Sequence, residues 1–522
     1  MSSTIALNGI GISFPNPGVF AQINFASGPI GGNAAIKKVL LIGNGTGSPA
    51  ATQGVVYGPD TATVMQQESD AIALFNAGSN LHTMYRRFTQ INKNTPVYAV
   101  MVTADTGAAA TGTITFTTTS TALQTVRVWV EDQFVDTTIN VGDTVTGIAG
   151  NVVNNINAQY WWPVSATNTA GVITLTAKTT GLEGNAIFVQ AQIMNGNGVT
   201  SVSPTANTRI ASTSSGTLGT RGTYSYTTVL ADIVTQKFDY IVTCDSDYNT
   251  STSPIMVALA TQISAQAQPT VGIRQRMIAG SSDTLTYVEG KAQALNNPRC
   301  EIVYGIATDF LPSSMAASWA AIVTQFEWSG NLPVNRCNFS QFPCQPNDLS
   351  YWQAAHFIPS RSGPAVAPTT TQITSLLNSG VSPLQLTTSN SIVMSKRITT
   401  YSLLNSQLDT RCRDACIVSI CDAYTSDAAY RVTQQFQGNN LGTNPGQGQP
   451  VPPNTVVPQT WIGDLKSLTN LYGEQGYGLL INSAQTIAGL NVQSSGDRLS
   501  ANAPLYTTPI ADQWCLLVSQ LS

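Results

Sequence analysis

The stretch SIVMSKRITTYSLLNSQLDTRCRDACIVSICDAYTSDAAYRVTQQF, residues 391–436, decides how the chain is read. It opens as a short strand, Ile392-Val393-Met394, then passes through Lys396-Arg397-Ile398-Thr399-Thr400-Tyr401 into a long helix predicted to start near Asp409. Cys412, Cys416, Ile420, Tyr424 and Ala428 recur every four residues, with Ile417 and Cys421 beside them, so one apolar stripe is expected to face a core. Asp409, Arg411, Arg413, Asp414, Asp422, Asp427 and Arg431 fall on the other faces. Asp409 and Arg413 are one helical turn apart, a spacing that lends a helix weak support. Charge is dense here for a chain only 10% charged overall. Two readings of that face follow: a docking surface, or an ordinary solvated face.

The remainder is unusual for its lack of charge. Lys and Arg number 23 and Asp and Glu 27 in 522 residues, while Thr, Ser, Asn, Gln and 42 Gly fill the polar positions. With 42% hydrophobic residues the chain is a folded protein, and its length implies roughly three domains. A neutral polar surface is poorly defended against self-association, which suits a subunit packed against its own copies. A net charge of −4 without any Lys/Arg cluster speaks against nucleic-acid binding. No apolar run reaches the ~18 residues of a membrane span, so no membrane insertion is expected. Met1-Ser2-Ser3-Thr4-Ile5 has no secretory pattern, and synthesis in a cytoplasm is expected. The eight cysteines form no CxxC pair, and His82 and His356 are the only histidines. Reduced thiols, no metal site and no cofactor are the expectation.

Read in order, residues 1–30 are punctuated by Gly and Pro around short apolar pieces, and predict an extended arm. Val39-Leu40-Leu41-Ile42 is a buried strand followed by Gly43-Asn44-Gly45-Thr46-Gly47. That glycine run is no phosphate loop, because Ser48-Pro49 stands where Lys and Ser/Thr are needed. A helix from about Asp60 to Asn76 is expected, then one holding Tyr85 to Phe88, then the strand Val97 to Val102. From Ala108 the period becomes two, in Thr113 to Phe116, Val126 to Val130 and Val172 to Thr176, around one helix with Asp143 as its expected cap. Regular α/β alternation returns from Leu230. The organisation expected is an arm at 1–30; an α/β domain at 31–104 with 206–330; an inserted β-rich domain at 105–205; and a loop-rich region at 331–390. An α+β domain at 391–522 completes it, with a Gly/Pro/Gln-rich linker at 437–459 and a terminal strand arm at 505–522. The fold class is thus α/β and α+β multidomain. Asp245 and Asp247, at a strand end, sit where α/β enzymes place carboxylates, but no His, Lys or Gly-rich partner stands near them, so a polar turn is expected.

This order of parts resembles the tail sheath proteins of contractile phage tails, especially the Mu-like sheaths. The residues that carry the resemblance are Phe14-Pro15-Asn16-Pro17-Gly18-Val19-Phe20, Asn94-Thr95-Pro96-Val97-Tyr98, Ala110-Thr111-Gly112-Thr113-Ile114-Thr115 and Gly181-Leu182-Glu183-Gly184-Asn185. Arg397-Ile398-Thr399-Thr400-Tyr401 and Asp497-Arg498-Leu499 complete the series. The chain departs from the pattern in the Cys and Pro content of 331–370 and in a long linker at 437–459. The resemblance implies a structural virion subunit that forms stacked homo-hexameric rings around a tail tube protein. Baseplate and tail terminator proteins would be its further partners. No catalysis is implied. Extended arms would add strands to neighbouring copies, with Phe14, Val19 and Phe20 at one end and Leu516, Leu517 and Val518 at the other as the contacts. Arg411, Arg413, Asp414 and Lys466 are the candidates for facing the tube. The insert would face outward and tolerate deletion best. A phage-tail-like bacteriocin, or another self-assembling shell or surface protein, stays open. A hydrolase reading lacks a nucleophile beside either histidine.

Overall fold

The computed structural model describes residues 37–507 apart from 327–367 and short breaks at 103–104, 196–200, 225, 244–249, 306–309, 387–391, 406, 410–411, 437, 474–475, 477–478 and 496–497. Residues 1–36 and 508–522 lie outside it, and so do Asp245, Asp247, Arg411 and both proposed arm contacts.

Val39–Asn44 (β1) opens with four apolar residues, Val39 to Ile42, and is buried on both faces, the pattern of a parallel strand covered by helices on each side. Val56–Tyr57 (β2), helices Glu68–Phe75 (α1) and Asn80–Ile91 (α2), and Val97–Val102 (β3) follow. The first helix is shorter than the sequence predicts. Its capping box joins Gln67 to Asp70, and Pro59 to Gln66 are irregular.

After β3 the chain builds two antiparallel sheets. Their strands are Ala109–Phe116 (β4), Gln124–Val130 (β5), Gln133–Ile139 (β6), Val164–Thr169 (β7), Val172–Thr180 (β8), Phe188–Asn195 (β9), Val202–Ser203 (β10) and Thr208–Arg209 (β11). They pair as β10-β4-β8-β7 and β11-β9-β5-β6, and with helix Val145–Ala158 (α3) they enclose one core. Thr144, not Asp143, caps α3: the Thr144 hydroxyl accepts from Gly147 N–H, while the Asp143 carboxylate closes the preceding turn on Asn140 N–H at 2.7 Å.

The chain then returns through helix Thr227–Ile233 (α4), strand Tyr240–Thr243 (β12), helix Pro254–Gln266 (α5), strand Arg276–Ser281 (β13), helix Leu285–Leu295 (α6), strand Cys300–Tyr304 (β14) and helix Pro312–Phe326 (α7). Helix Thr370–Ser379 (α8) and strands Ser382–Leu386 (β15) and Ile392–Met394 (β16) finish an eight-stranded sheet ordered β16-β15-β14-β13-β12-β1-β3-β2. Its inner strands are parallel; β2 and β16 are antiparallel edges. On one face pack α1, α2 and α7, and on the other α4, α5, α6 and α8. Buried from Pro312 through Thr324, α7 is apolar nearly all round, as a helix inside a large core must be. Gly280 permits this: a Cβ there would stand 1.9 Å from the Pro312 carbonyl oxygen.

Hairpin Leu403–Leu404 (β17) and Gln407–Leu408 (β18) leads to the long helix Ala415–Gln435 (α9). This helix begins six residues later than the sequence predicts, because Asp409 accepts the Tyr401 hydroxyl at 2.8 Å in the hairpin instead of opening a helical turn. Asp409 and Arg413 therefore share no helix. Strands Asn440–Leu441 (β19) and Thr455–Val456 (β20), helices Pro458–Tyr472 (α10) and Ser483–Gly489 (α11), and the hairpin Asn491–Ser495 (β21) with Arg498–Asn502 (β22) complete the described chain. Ile420 and Tyr424 of α9 join Leu468 and Tyr472 of α10, together with Leu479, Leu480 and Leu505, in a small separate core.

Candidate functional site: charged clasps at the two ends of the sheet

The scarce charges concentrate where one module meets another. At the N-terminal ends of β12, β13 and β14, three residues far apart in sequence converge under α9. Glu301 accepts from Arg397 Nε at 2.8 Å and Nη2 at 2.6 Å, with both side chains 1% exposed. Arg276 Nη1 lies 3.8 Å from the same carboxylate and donates to the Ala415 carbonyl at 3.3 Å, the first residue of α9. Tyr240 closes the group: Arg397 Nη2 donates to its hydroxyl at 3.1 Å, and the Arg276 guanidinium lies over its ring. Two turns into α9, Asp422 takes a two-pronged bond from Arg299, 2.8 Å on each oxygen. Burial alone would raise the Asp422 carboxyl, but Arg299, Arg276 and Arg274 hold it below the usual range. Lys396 pairs with Asp414 at 2.9 Å.

A second clasp fastens the inserted sheets at the opposite, C-terminal end of the strands. Asp105, 3% exposed, accepts from the amides of Gly107 at 2.8 Å and Gly222 at 2.6 Å and from Arg221 at 3.2 Å. The outgoing and returning chains therefore cross side by side, with no room for a Cβ at Gly222, which would stand 2.4 Å from Gly107 N. The turn of the β5–β6 hairpin then reaches into the α/β layer: Asp132 binds Arg87 of α2, both nearly buried, and Arg87 lies over the Phe310 ring. Asn80 donates to Glu183, and Arg209 Nη2 donates to the Ser282 carbonyl at 2.6 Å.

These contacts relocate the charges read from the sequence as an outward helix face. Asp422 points at β14, Asp427 receives the Tyr472 hydroxyl, and Arg431 pairs with Asp464 of α10 at 3.1 Å. Arg413 is half-buried, and Asp414 is held by Lys396. Lys466 alone of the proposed tube-facing group is both described and exposed. Sequence reasoning missed Glu301, Arg276, Arg87, Asp132 and Asp105. The available signal was a carboxylate inside the apolar strand Cys300–Tyr304 and an arginine opening Arg276–Ser281.

His82 has both ring nitrogens engaged: Nδ1 accepts from Gly78 N–H at 3.0 Å, and Nε2 faces Glu68 at 3.2 Å. Burial lowers its pKa and keeps the ring neutral. The four described cysteines, Cys300, Cys412, Cys416 and Cys421, are buried, and burial pushes the Cys300 thiol far up.

One group at the α9–α10 contact titrates near neutrality. Burial raises the Asp427 carboxyl to about 6, against the opposing effects of Tyr472 and Arg431. A carboxyl raised on folding stabilises fully below its ordinary value and loses that contribution as pH rises through the folded value. The α9–α10 contact should therefore weaken between about pH 4 and 6. Asp427→Asn, which keeps a neutral partner for Tyr472, is expected to flatten that slope and stabilise the protein at pH 7 by about 1 kcal/mol after allowance for solvent screening. Unfolding midpoints of both proteins across pH 4–8 check this.

No family model matches the chain. The Mu-like prophage FluMu tail sheath protein of Haemophilus influenzae is 27% identical to it over 194 residues. This chain is similar to Mu-like tail sheath proteins. The matched stretch is 37% of the chain, and it spans about two fifths (39%) of that sheath protein's length. Among solved structures, a sheath tail protein of Desulfitobacterium hafniense aligns over 93% of the chain and 96% of its own, at 13% identity and a TM-score of 0.46. One from Listeria innocua aligns over 93% and 95%, at 12% identity and 0.44. The helical sheath of the anti-feeding prophage in its contracted state aligns over 97% and 99%, at 10% identity and 0.42.

Proposed function

We propose that the chain is the subunit of a contractile tail sheath. It polymerises as stacked hexameric rings around an inner tail tube, anchors to a baseplate, and shortens to drive the tube through a host envelope. The observation that carries the reading is the sequence likeness to a tail sheath protein. The placement of charge supports it. In the described residues most charges bind one another inside the chain, so the outer surface is neutral and suited to repeated copies. Residues 1–36 contain no Asp, Glu, Lys or Arg, and residues 508–522 contain only Asp512. Arms of that composition join neighbours through backbone ladders and apolar side chains such as Phe14, Val19, Phe20, Leu516, Leu517 and Val518. No reaction is part of this function, and the assembled product belongs in a virion tail put together in the host cytoplasm.

Negative-stain electron microscopy of the concentrated protein tests the proposal. Striated hollow tubes of uniform width are expected, and they should survive about 1 M NaCl because charge pairs across copies are not what joins them. A monodisperse monomer that stays so with purified tail tube protein present would overturn the reading. Deleting residues 1–20 should leave soluble protein that forms no sheaths; normal sheaths from that truncation would exclude the arm. Lys466→Glu should leave empty sheath intact and abolish co-assembly with tube, as Arg413→Glu should if that half-buried side chain also reaches it.

A further inference from the structure

The corner where α1 gives way to α2 is also a seat of the insert, and His82 lies within it with none of its surface exposed. It stands in the first turn of α2, where the Ser79 hydroxyl caps the helix by accepting from His82 N–H at 3.1 Å. Because Nδ1 accepts from Gly78 N–H, the ring proton sits on Nε2 and is donated to Glu68 of α1. Gly78, at φ 77°, abuts the insert: a Cβ there would stand 2.3 Å from the carbonyl oxygen of Trp162, in the turn between α3 and β7. Lys178 of β8 ties the two turns together, its Nζ donating to the Ala77 carbonyl at 3.4 Å and to the Tyr160 carbonyl at 2.8 Å. The centroids of the Tyr160 and His82 rings are 6.5 Å apart, and the Arg86 guanidinium lies 4.4 Å over the Trp161 ring. Asn80, the first residue of α2, donates to Glu183 of the insert. These contacts lean on a turn, 76–80, whose Gly78 amide is held by one imidazole nitrogen.

A second proton on that ring has no acceptor. It would occupy Nδ1, the atom that Gly78 N–H now faces, and set one N–H against another. The new charge would be shut away from water in the first turn of a helix, where the backbone dipole repels a cation. Among the described residues the charged groups that face it are Arg86 of α2 and Lys178 of β8, which oppose a positive ring, and Glu68 of α1, which favours one. Burial outweighs Glu68 and holds the ring neutral. A base whose pKa falls on folding takes up its proton more readily in the opened state. The closed corner therefore has its full stability above the ordinary histidine value of about 6.5 and loses it as pH falls below that value.

We propose that His82 is an acid-operated latch. When it takes a proton, the 76–80 turn lets go of the insert's 160–163 turn, and the insert, still folded and still tethered at Asp105, gains freedom to shift against the α/β layer. The neck at Asp105 and the Arg87–Asp132 pair contain no histidine and stay closed in the same range. The latch does not rest on the sheath reading; it holds or fails in the single chain, whatever that chain assembles into.

Hydrogen exchange of the full-length protein, read by mass spectrometry between pH 7 and pH 5 and corrected for the pH dependence of free-amide exchange, tests the latch. Ordinary carboxylates stay charged over this range, and Asp427, which titrates within it, acts on the separate contact of α9 with α10. Exchange across 76–80 and 160–163 is expected to rise about tenfold at pH 5, while β5 and β8 stay protected. His82→Asn, whose side-chain oxygen still offers an acceptor to Gly78 N–H but takes no proton, should abolish the rise. Glu68→Gln should move the rise to lower pH, because the charged ring loses the carboxylate that favours it; a merely structural histidine would not respond. No rise in wild type, an equal rise in His82→Asn, or a rise spread through β5 and β8 overturns the proposal. So does an unshifted midpoint in Glu68→Gln, which decides the matter alone should His82→Asn not fold.

Discussion

Glu301→Ala is expected to destabilise the eight-stranded sheet by about 3–5 kcal/mol, because it strips the paired carboxylate from Arg397 and one of two nearby carboxylates from Arg276, both buried under α9. Arg397 would keep the Tyr240 hydroxyl, and Arg276 that hydroxyl, the Ala415 carbonyl and the more distant charge of Asp422. Neither guanidinium can shed its proton, so each must remain charged in a dry site or draw water into it. Thermal unfolding of the full chain measures the loss. The control is the double variant Glu301→Leu with Arg397→Met, which removes both members of the pair and should recover much of the stability. An unchanged midpoint in Glu301→Ala would mean that α9 is held by its apolar stripe alone.

The second large effect lies at the other end of the strands, and one hairpin supplies its own comparison. Asp132 and Asp136 of the β5–β6 hairpin each bind an arginine, Arg87 of α2 and Arg127 of β5. Arg127 with Asp136 is partly exposed, 2.7 Å on each of two bonds, while Arg87 with Asp132 is buried against Phe310. Losing the exposed pair through Arg127→Ala should change stability by about 1 kcal/mol or less. Asp132→Ala should cost about 3–5 kcal/mol, because it abandons Arg87 in the interior. For the same reason, excising the insert and closing the gap with a short flexible linker is expected to give an unstable core. It would remove the partners of Arg87 and Asn80 and uncover Leu311, which packs with the insert's apolar residues. Recovery of a soluble, cooperatively melting protein from that excision would show the insert to be mere decoration.

Much of the layer structure was legible in the residues because single-segment patterns specify it. The apolar run at Val39–Asn44, the period-two alternation of Val172–Thr180 and the helix stop at Gly380, where φ is 87°, each carry their own signal. What stayed hidden depends on partners remote in sequence. The apolar stripe of α9 is visible from Cys416, Ile420 and Tyr424, but periodicity says nothing about what stands opposite its charged positions. Asp422 meets Arg299, 123 residues away, and Arg431 meets Asp464, 33 residues away. A charge facing solvent and a charge facing a buried arginine look identical in one sequence. The start of α9 was misplaced for a related reason, since the Asp409–Arg413 spacing fits a helix equally well when Asp409 is spoken for by Tyr401.

The first clasp grips the N-terminal ends of β12, β13 and β14, and the second reaches the C-terminal end of β13, where Arg209 donates to the Ser282 carbonyl. A pull applied at α9 and resisted at that contact runs along β13, down covalent backbone. The hydrogen bonds between those strands lie across that direction and carry little of it. Such a sheet behaves as a tie rod, not a zipper. Under tension along these strands the sheet would keep its shape.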